Sequence, residues 1–322
     1  MRPTSHWIIL PIVLLASFGA GAQGYPAKPV RLIVPFAPGG PADAGARLIV
    51  QKLTETTGMA MIIDNRAGAG GTIGSDLVAK SAPDGYTLLL GSPGPLSIGP
   101  SLYPHLPYDP VKHFSPIILA ISSAFVTVVH PSVPASSIKQ LIALARARPG
   151  QLRFGSAGNG SVLHLAGELF KSAAKVDISH IPYKGGGPAM VDLLGGQIEL
   201  MIVDIPLALP HIGSGKIRAL GVTGRARNGL LPGVPTVRES GVPGYEVSTW
   251  SGVLAPGGTP TEIIDRLQAA FSKALSSPDL KERFAGQGVE VDALARDQFA
   301  LVIREEITKW GAVVRAAGVK VD

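Results

Sequence analysis

Cysteine is absent from the 322 residues, which removes disulfides, thiolate metal ligands and a cysteine nucleophile together. Charge is sparse at 16% and aromatic residues reach only 6%. The basic residues are scattered, with no basic run and no aromatic-interleaved recognition motif, so no nucleic-acid partner is expected. The seven His lack H-E-x-x-H or related ligand spacing, so no metal is expected. No G-x-S-x-G elbow occurs, which makes Ser161 with His164 a poor hydrolase pair. No phosphate loop of the form G-x-x-x-x-G-K followed by Ser or Thr is present, and Gly68 to Gly74 misses the dinucleotide G-x-G-x-x-G by one position. Catalytic residues and cofactors are therefore expected to be none. Beyond the N-terminus no apolar run is long enough to cross a bilayer.

What is present is apolar and rich in turns. Hydrophobic residues make up 46%, with 40 Gly and 28 Pro, which suits a well-buried core with many tight connections. Arg2 and His6 precede an apolar stretch from Trp7 to Phe18, and Ala20-Gly21-Ala22 follows. This is the pattern of a secretory signal peptide over residues 1–22, cleaved after Ala22, with a soluble periplasmic mature chain. An uncleaved anchor is the other reading, but the stretch is short and holds Pro11. The formal net charge of +6 favours acidic small molecules through the overall field.

Short apolar runs alternate with helical periodicity. Val30–Pro35, Met59–Ile63 and Tyr86–Leu90 read as strands, with helices over Ala44–Leu53 and Thr72–Ala79 between them. After a long β-rich run, Ile117–His130, the pattern restarts: Leu152–Phe154, Ile178–Pro182, Leu200–Val203 and Ala219–Thr223 as strands, Ser137–Arg146, Leu163–Lys171 and Pro188–Leu194 as helices. Tyr245–Ala255 is a further strand, followed by helices over Thr261–Leu275, Pro278–Gln287 and Arg296–Ala317. Apolar runs of this kind argue parallel sheets covered on both faces. The expected fold is two doubly wound α/β domains joined by crossing strands: residues 23–122 with 249–322, and residues 123–248.

Two bare loops stand out, each after a strand and before a helix. One is Pro35-Phe36-Ala37-Pro38-Gly39-Gly40-Pro41-Ala42-Asp43; the other is Gly155-Ser156-Ala157-Gly158-Asn159-Gly160-Ser161. A helix start presents unpaired N–H groups to an anion. Gly39 and Gly40 clear the way to the main chain, while Pro38 and Pro41 stiffen the loop beside Phe36 and Ala42. Asp43 caps the following helix or accepts a ligand ammonium; capping is the preferred reading. Ser156, Asn159 and Ser161, beside Ala157, can donate to a carboxylate. Ser92, Tyr183 and Asp204 end strands, where ligands of such sheets sit. Asp204 accepts a donor from ligand or water, or is an ordinary loop carboxylate. Lys184 reads as solvated, and His164 as a packed or capping residue.

These loops, with Asp64-Asn65-Arg66, Ala82-Pro83-Asp84-Gly85-Tyr86, Leu106-Pro107-Tyr108-Asp109-Pro110, His164-Leu165-Ala166-Gly167-Glu168, Pro182-Tyr183-Lys184-Gly185-Gly186-Gly187-Pro188 and Ala255-Pro256-Gly257-Gly258-Thr259-Pro260, follow the order of a known family. The chain resembles the tripartite tricarboxylate transporter receptors, also called the Bug family of periplasmic solute-binding proteins, over essentially its whole mature length. The resemblance implies a type II, Venus-flytrap architecture closing on a small organic acid, monomeric, and delivering it to large and small membrane permease subunits. It also implies that the first-domain loop holds a ligand carboxylate through backbone groups and waters. Ala67, His113 and Ser97-Ile98-Gly99 depart from the family pattern, the last expected near the cleft rim. A sensor subunit for the same acid is the alternative, and an exported hydrolase a weaker one.

Overall fold

The computed structural model describes residues 24–319, so the signal segment and its cleavage point after Ala22 lie outside the described residues. Among the described residues no helix is long and apolar enough to cross a membrane.

The first lobe is built on β1 (Val30–Val34), flanked in parallel by β2 (Met61–Asn65) and β3 (Thr87–Gly91). Helices α1 (Pro41–Thr57) and α2 (Thr72–Ala79) make the crossovers, and a π-type turn (Gly94–Ile98) with the short α3 (Gly99–Leu102) follows β3. β4 (Phe114–Val129) then runs through the whole molecule. The second lobe contains α4 (Ile138–Ala147), β5 (Arg153–Ser156), α5 (Val162–Ala174), β6 (Ser179–Pro182), α6 (Gly186–Leu194), β7 (Leu200–Asp204), α7 (Ile205–Gly213) and β8 (Arg218–Val222). The chain returns through β9 (Ser248–Pro256), α8 (Thr261–Leu275), α9 (Pro278–Ala285), β10 (Val289–Ala295) and α10 (Arg296–Ala317).

The joint between the lobes is a change of partners along one strand. Residues 114–124 of β4 pair antiparallel with β9, and residues 118–123 with β10; from Phe125 to Val129 the same strand pairs with β7 and β8. The return path meets it there. Ser248 opposes Ala124, and Val247 N–H donates to Thr223 O at 2.9 Å. Strand order across the curled sheet is β2-β1-β3-β9-β4-β7-β5-β6, with β8 and β10 beside β4.

Alternation along the central strands shows why their apolar runs are continuous. On β1, Leu32 and Val34 pack with Ile49 and Leu53 of α1 and Phe271 of α8, while Ile33 points the other way onto Val78 of α2 and Phe299 of α10. On β7, Leu200 and Ile202 join one core, Met201 and Val203 the opposite one. Both faces are buried, at roughly 1.5–3 kcal/mol for each large side chain removed from water. At its far end α10 places Trp310, Val313 and Val314 in the same cluster as Phe170 and Tyr245 of the second lobe.

Most sequence-derived elements sit within a few residues of the observed ones. Some features differ from the sequence expectation. β10 occupies a stretch to which no element was assigned, hidden because its alternation of Val289 and Val291 with acids lies between two strong helices. α7 forms despite Pro206 and Pro210, the first of which lies in the helix's opening turn, where no N–H is needed. Ser97, Ile98 and Gly99, expected near the cleft rim, are instead buried within and just after the π-type turn.

Candidate binding site

A cavity of about 390 Å³ opens where the two lobes meet. The first lobe contributes Phe36, Gly40, Pro41 and Ala42 from the β1–α1 loop, and Ser92, Pro93 and Gly94 from the turn after β3. The two strands at the joint add Ile121–Ser123 and Thr249–Ser251, and Val289 stands beside them. From the second lobe come Val162, the first residue of α5, and Asp204, the last of β7.

The β1–α1 loop is shaped by backbone geometry. Gly39 sits at φ +80°, a left-handed conformation that only glycine adopts without strain. Gly40 is the extended N-cap and Pro41 opens the helix, where its missing N–H costs nothing. The N–H groups of Ala42 and Asp43 follow in the first turn, where an α-helix offers no preceding carbonyl to receive them. With the helix dipole they favour a negative group at this wall.

Asp43 is the anchor of this loop rather than its N-cap, a correction to the preferred sequence reading. It is buried at the third helical position, where Oδ2 accepts from Gly39 N–H at 2.9 Å and from Arg47 Nε at 2.8 Å, and Oδ1 accepts from Asn65 at 3.0 Å. The Arg47 guanidinium first, then the Gly39 amide, hold its carboxyl down to about 2. Pro38 and Gly39 lie on the exposed outer side of the loop.

Ser92 Oγ is buried at the cavity wall without a protein hydrogen-bond partner. Asp204 is the one charged side chain lining this cavity among the described residues. Its carboxylate is open to the cavity yet ringed by protein, and loss of solvation raises its pKa. Phe36, Ile121, Val162, Trp250 and Val289 supply apolar walls, and Trp250 is fixed by donating Nε1–H to Glu306 at 2.6 Å.

The second bare loop reaches the cavity through the start of α5. Ser156 is fully buried, its Oγ engaged by His180 Nε2 at 2.6 Å and by Gly158 N–H at 3.1 Å. Ser161 caps α5, accepting His164 N–H at 3.2 Å and donating to Gly158 O at 2.7 Å. These hydroxyls stabilise the loop and leave Val162 as its lining residue. Ala157 is half-buried and Asn159 exposed, neither on the cavity lining. Tyr183 turns away and donates to Asp192 at 2.7 Å; Lys184 is exposed, and His164 is packed.

The structure thus brings Phe36, Gly40, Pro41, Ala42, Ser92 and Asp204 together, and sets Pro38, Gly39, Asp43, Ser156, Ala157, Asn159, Ser161 and Tyr183 behind or beside the wall. Residues 121–123 and 249–251 escaped sequence reading as lining, although the crossing strands that carry them must run along any cleft between the lobes. Among the described residues no group of three or more His, Cys, Asp or Glu is placed to hold a metal.

A two-lobed α/β fold with a cavity at the strand crossover defines a type II periplasmic binding protein. The profile of the tripartite tricarboxylate transporter family receptor matches residues 46–319, and the chain belongs to that family of periplasmic solute-binding receptors. It is similar to Protein BugT of Bordetella pertussis, 43% identical over 300 residues, covering 93% of this chain and 92% of BugT. Among solved structures, an R. palustris protein with adipate is 38% identical at a TM-score of 0.78, covering 92% of this chain and 99% of its own. MatC of Rhodopseudomonas palustris, with bound malate, is 36% identical at a TM-score of 0.74, covering 90% and 100%.

Proposed function

We propose that the chain is an exported receptor that captures a small carboxylic acid between its lobes and delivers it to the membrane subunits of a tripartite tricarboxylate-type permease. The observation that carries this reading is the first-lobe wall, where the opening turn of α1 and the partnerless Ser92 Oγ face one cavity that no Lys, Arg or His lines among the described residues. Main-chain and hydroxyl donors take the carboxylate there without a counter-cation. The apolar walls take the carbon skeleton, and Asp204 accepts a hydrogen bond from a ligand donor or from water. The adipate and malate bound by relatives support an organic acid of this size.

Residues 23–122 with 249–322 and residues 123–248 are the two moving bodies, with the far end of α10 reaching across into the core of the second, and β4 is the natural place for bending between them. A ligand bound by both favours the closed state, because only that state satisfies both of its ends. The chain acts as a monomeric binding protein, not an enzyme, with the signal removed after Ala22.

The test is a thermal-shift screen of small carboxylates on ligand-stripped protein, followed by calorimetry on the best acid with wild type and Gly40→Val. Binding raises the melting temperature by mass action. A Cβ at Gly40 meets only Ala37 O, at 3.6 Å, so the valine obstructs the cradle more than it disturbs packing. Unchanged affinity in Gly40→Val removes the carboxylate from this wall. Deletion of the gene stops uptake of the same acid if the partner is a permease, and leaves uptake intact if it is a signalling protein.

A further inference from the structure

Beneath the second-lobe loop, His164 of α5 and His180 of β6 stack face to face, with ring centroids 3.8 Å apart and planes 10° from parallel. Each ring holds a different point of the loop. His164 Nδ1 accepts the Gly160 N–H at 3.1 Å. His180 Nε2 bonds Ser156 Oγ at 2.6 Å, and that oxygen also receives the Gly158 N–H at 3.1 Å. Ser161 completes the arrangement by capping the backbone of His164. The arrangement resembles a capping box shifted by one residue, with an imidazole reaching back to the residue before the N-cap.

The donor at Gly160 fixes the chemistry. Nδ1 of His164 must carry a lone pair, so the ring proton sits on Nε2. A second proton sets two donors against each other across that bond. If His180 is also charged, two cations face each other at the 3.8 Å stacking distance. The charged groups facing the pair offer little relief. Glu168 Oε1 lies 3.9 Å from His164 Nε2, outside hydrogen-bond reach, and is held at 3.0 Å by Lys171. Burial first, then the Lys171 charge, pushes His164 down to about 4; burial, His164 and Lys171 do the same for His180.

We propose that His164 and His180 are positioning residues of the second-lobe loop, holding Ser156–Ser161 in its ligand-ready shape only while Nδ1 of His164 keeps its lone pair. The ligand-ready part of this statement rests on the receptor reading above; the hold on the loop does not.

Amide exchange on ligand-free protein tests it, so that titration of a bound acid plays no part. Protection at Gly158 and Gly160 falls about tenfold between about pH 6 and pH 4 in wild type, while β7 keeps its protection. His164→Asn retains an acceptor that takes no proton, and its loop protection stays flat across that range. His164→Leu removes the acceptor and lowers loop protection at every pH; if it fails to fold, the other two profiles decide the matter. A flat wild-type profile, or an Asn variant that loses protection as wild type does, overturns the proposal. In parallel calorimetry at neutral pH, His164→Leu binds the screened acid about tenfold more weakly and His164→Asn restores it. Equal affinity in all three overturns the link to binding. If wild type binds no acid at all, the receptor reading fails and the exchange profiles still decide whether the pair holds the loop.

Discussion

Asn65, the last residue of β2, donates its side-chain amide to Asp43 Oδ1 at 3.0 Å and so ties the second strand to the first turn of α1. The same amide also donates to Phe36 O at 3.1 Å, so one side chain fixes both ends of the β1–α1 loop.

Asp43→Asn is expected to lower stability at neutral pH and to loosen that loop. The wild-type carboxyl is held down from an ordinary 3.8 to about 2. Its stabilisation is therefore fully present above about pH 4 and is lost as pH falls toward 2. Urea midpoints of the two proteins should lie apart at pH 7 and converge near pH 2. A gap that stays constant with pH contradicts the assignment.

Ser92→Ala separates binding from folding. The hydroxyl has no protein partner, so its removal leaves the stability of the free protein unchanged or slightly raised. Affinity for the screened carboxylate falls about tenfold, the cost of one charge-assisted hydrogen bond. Paired denaturation and calorimetry check this; a variant less stable but equally tight-binding places the hydroxyl in the fold alone.

Asp204→Asn is expected to leave the stability of the ligand-free protein unchanged or slightly raised at neutral pH. Surrounding protein raises the Asp204 pKa above its ordinary 3.8, but the side chain stays open to the cavity and solvent screens it, so the cost to folding is small; it appears as pH rises through that window and vanishes below it. Thermal melts of the two proteins should differ at most slightly at pH 7 and coincide near pH 3. The same variant weakens ligands that present a donor to this end of the cavity and leaves affinity unchanged for those that do not.

Gly252→Ala tests the packing under the joint. A Cβ built there runs into the Phe299 ring, which is fully buried and cannot swing aside. Overpacking of this kind costs roughly 1–3 kcal/mol. A wild-type urea midpoint in the alanine variant contradicts that close approach.

Much of this was legible in the chain itself. The apolar runs of β1, β3 and β7 announced doubly covered strands because side chains on both faces of each are buried. Gly40, Pro41 and Ala42, which line the cavity, were readable as a helix start because glycine and proline at a helix N-terminus have narrow conformational meaning. Ser156 and Ser161 were not so readable. A hydroxyl in a bare loop serves a ligand or the loop equally well until distances to Gly158 and His180 are known. The lining role of Ile121–Ser123 and Thr249–Ser251 depends on strands brought together across more than a hundred residues, and no local pattern encodes such a meeting.

The strand that changes partners at Ala124 and Phe125 leaves neither half of the molecule able to stand alone. Cutting the chain there strips each half of a central hydrogen-bonded neighbour and bares two sheet edges. The protein should consequently melt in a single cooperative step, and its halves, expressed apart, should aggregate rather than fold.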